Sequence, residues 1–516
     1  MYQLEYVLLM LLTTKLAAID ILQIVPGFTN SHLLFNYRLV KTLKQMGHNV
    51  KLWTQMEMNM VSSGVSLPEG VSDLQIPIHF SDKMKAEGLK ASYNFCHVFQ
   101  EMMFKKNDEY DLWWTGQQFK DMRIEACEQM LLVDQNRLES LLEGRKPQIV
   151  IGHFHDLCPL GLAKKVGSSN LVWITHGTSL FDFAAVQMGI RTYPSYVPHP
   201  LSSYSDRMNF FQRLVNVLWS LSMLDFVNLP INLLYEENSM YRRIVGDGES
   251  DLWDLSKNVS MMLINGEQML DFPRPLSLSI RFIGELDRYN KKKVNMEAEF
   301  QQLADSSDLG FIIFSFGTVC NTSSMPQQMR KAFVDAFAFF PRYTIIWRFE
   351  DDLPEASSHK NIKLFRWLPQ KQLMYHPKVK LLIAHGGYNS FLEASKAGVP
   401  LLLVPLFADQ FINARRAERF GFAESLDKTK LIAEVIRDKM AAILTNSRYK
   451  TNAEKLSAML EDKPAMSSQG IIAHMFRLSL FKNSHYALKS RYNLSFLQYY
   501  SIDIMVPIVL VILLLF

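Results

Sequence analysis

The chain alternates short apolar runs with amphipathic stretches. The run IDILQIVPGF, residues 19–28, reads as a buried strand and is followed by the polar turn TNSH. Apolar positions at helical spacing then predict a helix over residues 33–46, closed by Gly47, and HNVKLWT predicts a second strand. The same alternation returns at KPQIVIGHF and SSNLVWITHG. It returns again in the second half at LGFIIFSFGT, YTIIWRF and NIKLFRWLPQ, with a helix predicted over residues 326–340. Strands alternating with helices predict parallel sheets, whose ligands gather at the carboxyl ends of the strands. Two α/β domains fit this plan. They join in the proline-punctuated stretch of residues 271–293.

Residues 381–410 hold the densest pattern, LLIAHGGYNSFLEASKAGVPLLLVPLFADQ. An apolar strand breaks at two glycines, a helix follows, and a second apolar strand ends at Asp409-Gln410. Ser390 and Glu393 have the spacing of a helix capping box. A helix start is also a ready anion site, because its N–H groups are unpaired and carry partial positive charge.

Two aromatic, methionine-rich stretches, residues 95–114 and 181–219, read equally as core or as an apolar pocket or membrane-facing surface. At the amino end a short apolar core precedes Ala17 and Ala18. It reads as a secretory signal, with a first core strand as the alternative. Residues 504–516 are apolar and uncharged. As a helix they would reach about 20 Å against the roughly 30 Å of a bilayer core, so they are a short anchor or the start of a longer one. Tyr499 and Tyr500 sit where an interfacial aromatic belt would lie.

Composition narrows the classes only moderately. The 516 residues are 48% hydrophobic and 21% charged, which excludes a disordered chain. Net charge is +4, too small to point to nucleic acid. Cys96, Cys127, Cys158 and Cys320 show no metal-ligand spacing and read as buried free thiols. Sequons at Asn258, Asn321 and Asn493 gain meaning if the signal is real.

Four strand ends of the second half supply complementary chemistry. FSFGT offers Ser315 and the open backbone of Gly317. WLPQ offers the flat ring of Trp367 and the amide of Gln370. AHGGYNSFLE offers His385, Gly387, Asn389, Ser390 and Glu393, and FADQ offers Asp409 and Gln410. Hydroxyls, an imidazole and a helix start suit a diphosphate. A carboxylate one turn on suits a sugar diol. Each feature alone has a plain structural reading; together they point to a nucleotide.

The stretch of residues 367–414 resembles the signature of the animal UDP-glycosyltransferases from end to end, and PGFTNSH, DFPRPL and FSFGT resemble stretches of that family in the same order. The resemblance implies an α/β fold of the GT-B type, two Rossmann-like domains with a cleft between them, plus a C-terminal membrane anchor. It divides the chain into a signal peptide (1–18), an acceptor domain (19–275), a UDP-sugar domain (276–485) and an anchored tail (486–516). It implies metal-independent, inverting transfer of a glycosyl group, glucuronosyl ahead of glucosyl, from a UDP-sugar to a small lipophilic acceptor. No separate cofactor is expected, since the UDP-sugar is itself the donor.

Carried over residue by residue, Trp367 stacks on uracil and Gln370 bonds its edge. Ser315, His385, Asn389 and Ser390 meet the diphosphate, Glu393 the ribose, and Asp409 and Gln410 the sugar. The endoplasmic reticulum membrane is the implied location, with the catalytic domains in the lumen; a homo-oligomer is left open. His32, at the exit of the first strand, matches the catalytic base. The aspartate that would orient it falls on His153 in IGHFHDLCPLG, so either Asp156 supplies the carboxylate, the favoured reading, or His32 works without one. That departure supports the alternative of a non-catalytic UDP-sugar-binding protein.

Overall fold

The computed structural model describes residues 18–27, 30–55, 67–74, 76–79, 81–82, 104, 121, 123–154, 157–177, 182–222, 234–246, 248–284, 286, 296–317, 322–462, 467–480 and 494–515. Residues 1–17 of the expected signal at 1–18, most of the stretch at 95–114, Cys96, Cys320 and Asp156 lie outside them.

The first sheet contains β1 (Asp20–Val25), β2 (Asn49–Thr54), β3 (Ser72–Asp73), β4 (Ile149–His153), β5 (Leu171–His176), β6 (Met261–Asn265) and β7 (Ile280–Phe282), in the order β3-β2-β1-β4-β5-β6-β7. The second contains β8 (Phe311–Ser315), β9 (Thr344–Arg348), β10 (Ile362–Phe365), β11 (Val379–Ala384), β12 (Leu401–Leu403) and β13 (Ala423–Ser425), in the order β10-β9-β8-β11-β12-β13. The pairings are parallel throughout. Strands such as FIIFS of β8 and IVIGH of β4 are buried along their whole length, as helices on both faces of a sheet require. These are the parallel sheets expected from the alternation, and the Rossmann-like pair that the family resemblance implies.

Each sheet reverses its strand order once, between β1 and β4 and between β8 and β11. Such a switch point leaves a crevice at the carboxyl ends of the two strands. Helix α1 (Asn30–Gln45) leaves β1 at the first crevice, and α2 (Cys158–Lys165) follows β4 there.

The first sheet extends past the expected seam at 275/276. Strand β7 closes its edge, and helix α8 (Ser468–Leu480) returns to it. Ile472, Met475 and Phe476 of α8 join Ile21, Ile151 and Leu263 in one core. Helix α9 (Ile502–Leu515) is 14 residues long and exposed along its length. No described helix is long and apolar enough to cross a membrane. Tyr499, expected at a membrane interface, is buried. Its carbonyl accepts a hydrogen bond from Arg191, whose guanidinium lies 5.4 Å from the Tyr499 ring and 5.6 Å from that of Tyr500.

The cysteine expectation is corrected. Cys127 and Cys158 form a disulfide, with Cα atoms 5.8 Å apart. The stretch at 181–219 divides between its two readings. Ala184, Ala185 and Met188 are core, whereas helix α3 (Phe210–Ser222) turns Phe210, Phe211, Leu214 and Leu218 to solvent.

Candidate functional site

The second switch point gathers most of the sequence-predicted donor residues. Ser315 ends β8 directly beside Ala384 of β11, and His385 follows. The Gly317 N–H donates to Ser315 Oγ at 3.3 Å, folding the strand exit back on itself. Gly317 has φ +76°, and a Cβ there would come within 2.6 Å of the His385 ring. A Cβ on Gly387 would come within 2.5 Å of His385 Nε2. The imidazole is thus boxed between two positions that must lack side chains. Burial lowers it to about 4, helped by the nearby Arg348 charge and opposed by the Ser315 carbonyl, so it is neutral at pH 7.

The two glycines of AHGG serve different ends. Gly386 takes φ +88° against the Gln410 backbone carbonyl, 2.9 Å from where a Cβ would lie. Gly387 is the N-cap of helix α6 (Tyr388–Ala397), and no described side chain caps it. The capping-box reading is therefore wrong. The backbone turn starts the helix before Ser390, which becomes its third residue rather than its cap. The Ser390–Glu393 pair is bridged instead by Gln370, at the start of helix α5 (Gln370–Met374). Its Nε2 donates to Ser390 Oγ at 3.1 Å and to Glu393 Oε2 at 3.1 Å. Trp367 leads into this helix and is 58% exposed, offering a flat apolar side chain at the surface. Asn389 lies in the first turn of α6.

Asp409 is the N-cap of helix α7 (Gln410–Arg419) and accepts from Asn413 Nδ2 at 2.9 Å. Burial raises its carboxyl, opposed by Asn413 and by the Arg416 charge. Gln410 is buried, and its Oε1 is taken by the backbone N–H groups of Leu406 (2.8 Å) and Phe407 (3.2 Å). Its amide nitrogen is the part open to a ligand role.

The first switch point holds His32, the third residue of α1, partly buried and lowered to about 4 by desolvation. Its ring meets His153, at the end of β4, edge to face with centroids 5.7 Å apart. The loop after β4 is anchored by Glu237 of helix α4 (Tyr235–Val245). The wholly buried carboxylate accepts from Leu157 N–H at 3.1 Å and Cys158 N–H at 2.8 Å, and Arg123 stands 4.0 Å away. Burial raises the Glu237 carboxyl against these partners.

The exits of β5 and β6 touch the start of α6. Gly177, just past β5, packs on the Tyr388 ring at the start of α6, and Tyr388 Oη accepts from the Glu267 N–H at 3.1 Å. Glu267 pairs with Lys396 at 2.9 Å. Asp271, buried, pairs with Arg416 at 2.6 Å and Arg274 at 3.0 Å.

Sequence reading missed Arg348, Tyr388 and the buried polar groups behind His32. Arg348 ends β9, where strand-end residues face the crevice. Its guanidinium lies 6.0 Å from the Trp367 ring and bonds the Gly317 carbonyl. Gln23 was visible as a lone polar residue inside the apolar strand DILQIV. No group of three or more potential metal ligands occurs among the described residues.

The glycotransferase of kitacinnamycin superposes with a TM-score of 0.60 at 16% identity, over 90% of this chain and all of that one. The glycosyltransferase VinC, solved in complex with DTDP, gives 0.54 at 16%, over 89% and 99%. Two Rossmann-like sheets, each with one switch point, make this a fold of the GT-B class. A family model described as UDP-glucoronosyl and UDP-glucosyl transferase matches residues 22–516. The Caenorhabditis elegans protein named as UDP-glucuronosyltransferase ugt-60 is 52% identical over 94% of this chain and 95% of its own length. A UDP-glucuronosyltransferase of Pleuronectes platessa is 33% identical over 62% and 66%. The chain belongs to the UDP-glucuronosyl and UDP-glucosyl transferase family and is an enzyme that moves a sugar from a UDP-sugar. The reading as a non-catalytic binder gives way to this.

Proposed function

We propose that the enzyme transfers a glucuronosyl group, with glucosyl as the second choice, to a hydroxyl of a small lipophilic acceptor, inverting the anomeric carbon without a metal. The observation that supports the reading is the contact of Gly177, just past β5, with Tyr388 at the start of α6, which joins the sheet followed by α1 and His32 to the helix that follows the glycine turn. UDP lies along the second crevice. Trp367 stacks on uracil, Gln370 holds the base edge, and Glu393 takes the ribose hydroxyls. The first turn of α6, with Ser315, Asn389, Ser390 and the neutral N–H of His385, receives the diphosphate and steadies the charge that builds on it as it leaves. Asp409 and the Gln410 amide nitrogen hold the sugar.

His32, neutral at pH 7, takes the acceptor proton as the oxygen attacks from the face opposite UDP. Asp156 is the proposed carboxylate partner. The Cys127–Cys158 disulfide supports a lumenal, oxidising location at the endoplasmic reticulum membrane, with the apolar tail as its anchor.

The test is UDP release from a membrane preparation, comparing UDP-glucuronate with UDP-glucose and a phenolic acceptor. His32→Ala should lower kcat by about 10²–10⁴, and a chelator should change nothing. Wild-type turnover by His32→Ala sinks the base assignment. Loss of turnover with chelator sinks the metal-free one.

A further inference from the structure

We infer that His153 is a positioning residue for His32, aimed by a buried amide relay that runs from Gln23 through Asn36. The inference rests on His32 being the base.

Gln23, Asn36 and His153 are 0%, 0% and 1% exposed. They come from β1, α1 and β4, the three elements that build the first crevice. Gln23 Nε2 donates to Asn36 Oδ1 at 2.6 Å and to the Asn36 carbonyl at 3.4 Å. Asn36 Nδ2 donates to the His32 carbonyl at 2.8 Å and lies 3.0 Å from His153 Nε2.

Two of these partners are main-chain carbonyls, which only accept, so both amides have a fixed sense. The Asn36 nitrogen faces His32 and His153 Nε2, and its oxygen faces Gln23 and lies 3.3 Å from the same His153 Nε2. In either neutral tautomer Nε2 has its partner on Asn36, accepting from Nδ2 or donating to Oδ1. The amide thus fixes the ring plane, with Phe35 edge-on at 6.1 Å.

One amide thus holds both the His32 main chain and the ring that the His32 side chain meets at 5.7 Å. Gln23 Oε1 is left without a hydrogen-bond partner among the described residues, a cost to stability that a core built for packing alone would avoid. In the exposed or half-buried setting ordinary for a histidine, no such aiming would exist.

The experiment uses the full-length enzyme with a phenolic acceptor, and UDP affinity and the thermal midpoint confirm folding of each variant. His153→Leu should lower kcat about 10–100-fold, with the KM for UDP-sugar unchanged within about twofold. His153→Gln, whose amide oxygen can accept from Asn36, should recover most of that loss. His32→Ala/His153→Leu should be no slower than His32→Ala alone, because His153 acts only through His32.

Wild-type kcat in His153→Leu overturns the inference, and so does a double variant slower by the product of the two single effects. Wild-type turnover in His32→Ala would instead remove the base assignment on which the inference stands. Where His153→Leu does not fold, nitrogen NMR of histidine-labelled wild-type enzyme decides. A single fixed neutral tautomer of His153 supports the relay, and rapid averaging between the two tautomers, as in a free imidazole, refutes it.

Discussion

Gly387→Ala isolates the proposed donor site from backbone strain. The position has φ −58°, which alanine adopts readily, so the effect of the substitution is steric. The new Cβ would stand 2.5 Å from His385 Nε2 and 3.0 Å from its Cε1. Ordinary contact is about 3.5 Å, so the ring must retreat by about 1 Å. A Cβ on Gly317 would also come within 2.6 Å of the ring, so the ring lies close to the backbone of both glycines. The expected outcome is a fall in UDP affinity of about 10–100-fold, the scale of a 1 Å misplacement of a binding group. Overpacking adds about 1–3 kcal/mol of destabilisation. Calorimetric titration with UDP and a thermal melt read the two separately. Unchanged UDP affinity beside a lowered melting temperature would show that His385 does not meet the nucleotide. Tight binding with no loss of stability would show that the box around His385 is loose.

Other expectations follow from named contacts. Tyr388→Phe strands the Glu267 N–H at the seam and should cost about 1–3 kcal/mol by chemical denaturation; no change would mean that water replaces the hydroxyl. Cys127→Ser/Cys158→Ser opens a cross-link over a sequence separation of 31, with an expected cost of about 3–4 kcal/mol seen as a lower melting temperature in non-reducing buffer. His32 and His385 sit at about 4 when folded and near 6.5 when unfolded, so the unfolded chain binds more protons between those values. Stability should be full above about pH 6.5 and fall by up to about 1.4 kcal/mol per pH unit for each histidine down to about pH 4. His385→Asn should flatten that slope, measured by urea titrations across the range.

The second sheet was legible because its strands are doubly buried, and an apolar run such as LLIA has no other stable place. Its crevice was legible too, since glycine, serine and amide residues recur at strand exits where a ligand approaches the backbone. The start of α6 was misread for a physical reason. Ser-x-x-Glu is a local signal, whereas the helix begins where Gly386 and Gly387 let the chain pass His385 and Gln410. The disulfide joins segments that only the tertiary fold brings together. The apolar stripe of α8 shows that the helix packs, but not on which sheet. Gln23 and Asn36 were readable as residues, one inside an apolar strand and one a helical turn past His32. Their pairing depends on the register of β1, β4 and α1.

The seam between the sheets grips the helices that begin the proposed donor site. Tyr388 is in the first turn of α6 and Lys396 in its last, and both reach Glu267. Arg416 lies in the last turn of α7, whose N-cap is Asp409, and reaches Asp271. Glu267 and Asp271 both follow β6, a strand of the sheet that also carries His32. A buried ion pair demands good geometry, because removing one partner leaves a charge out of water. Glu267 and Asp271 therefore tie the first and last turns of α6 and the last turn of α7 to the segment after β6. In the proposed reading, the separation between His32 and the donor sugar depends on these ties.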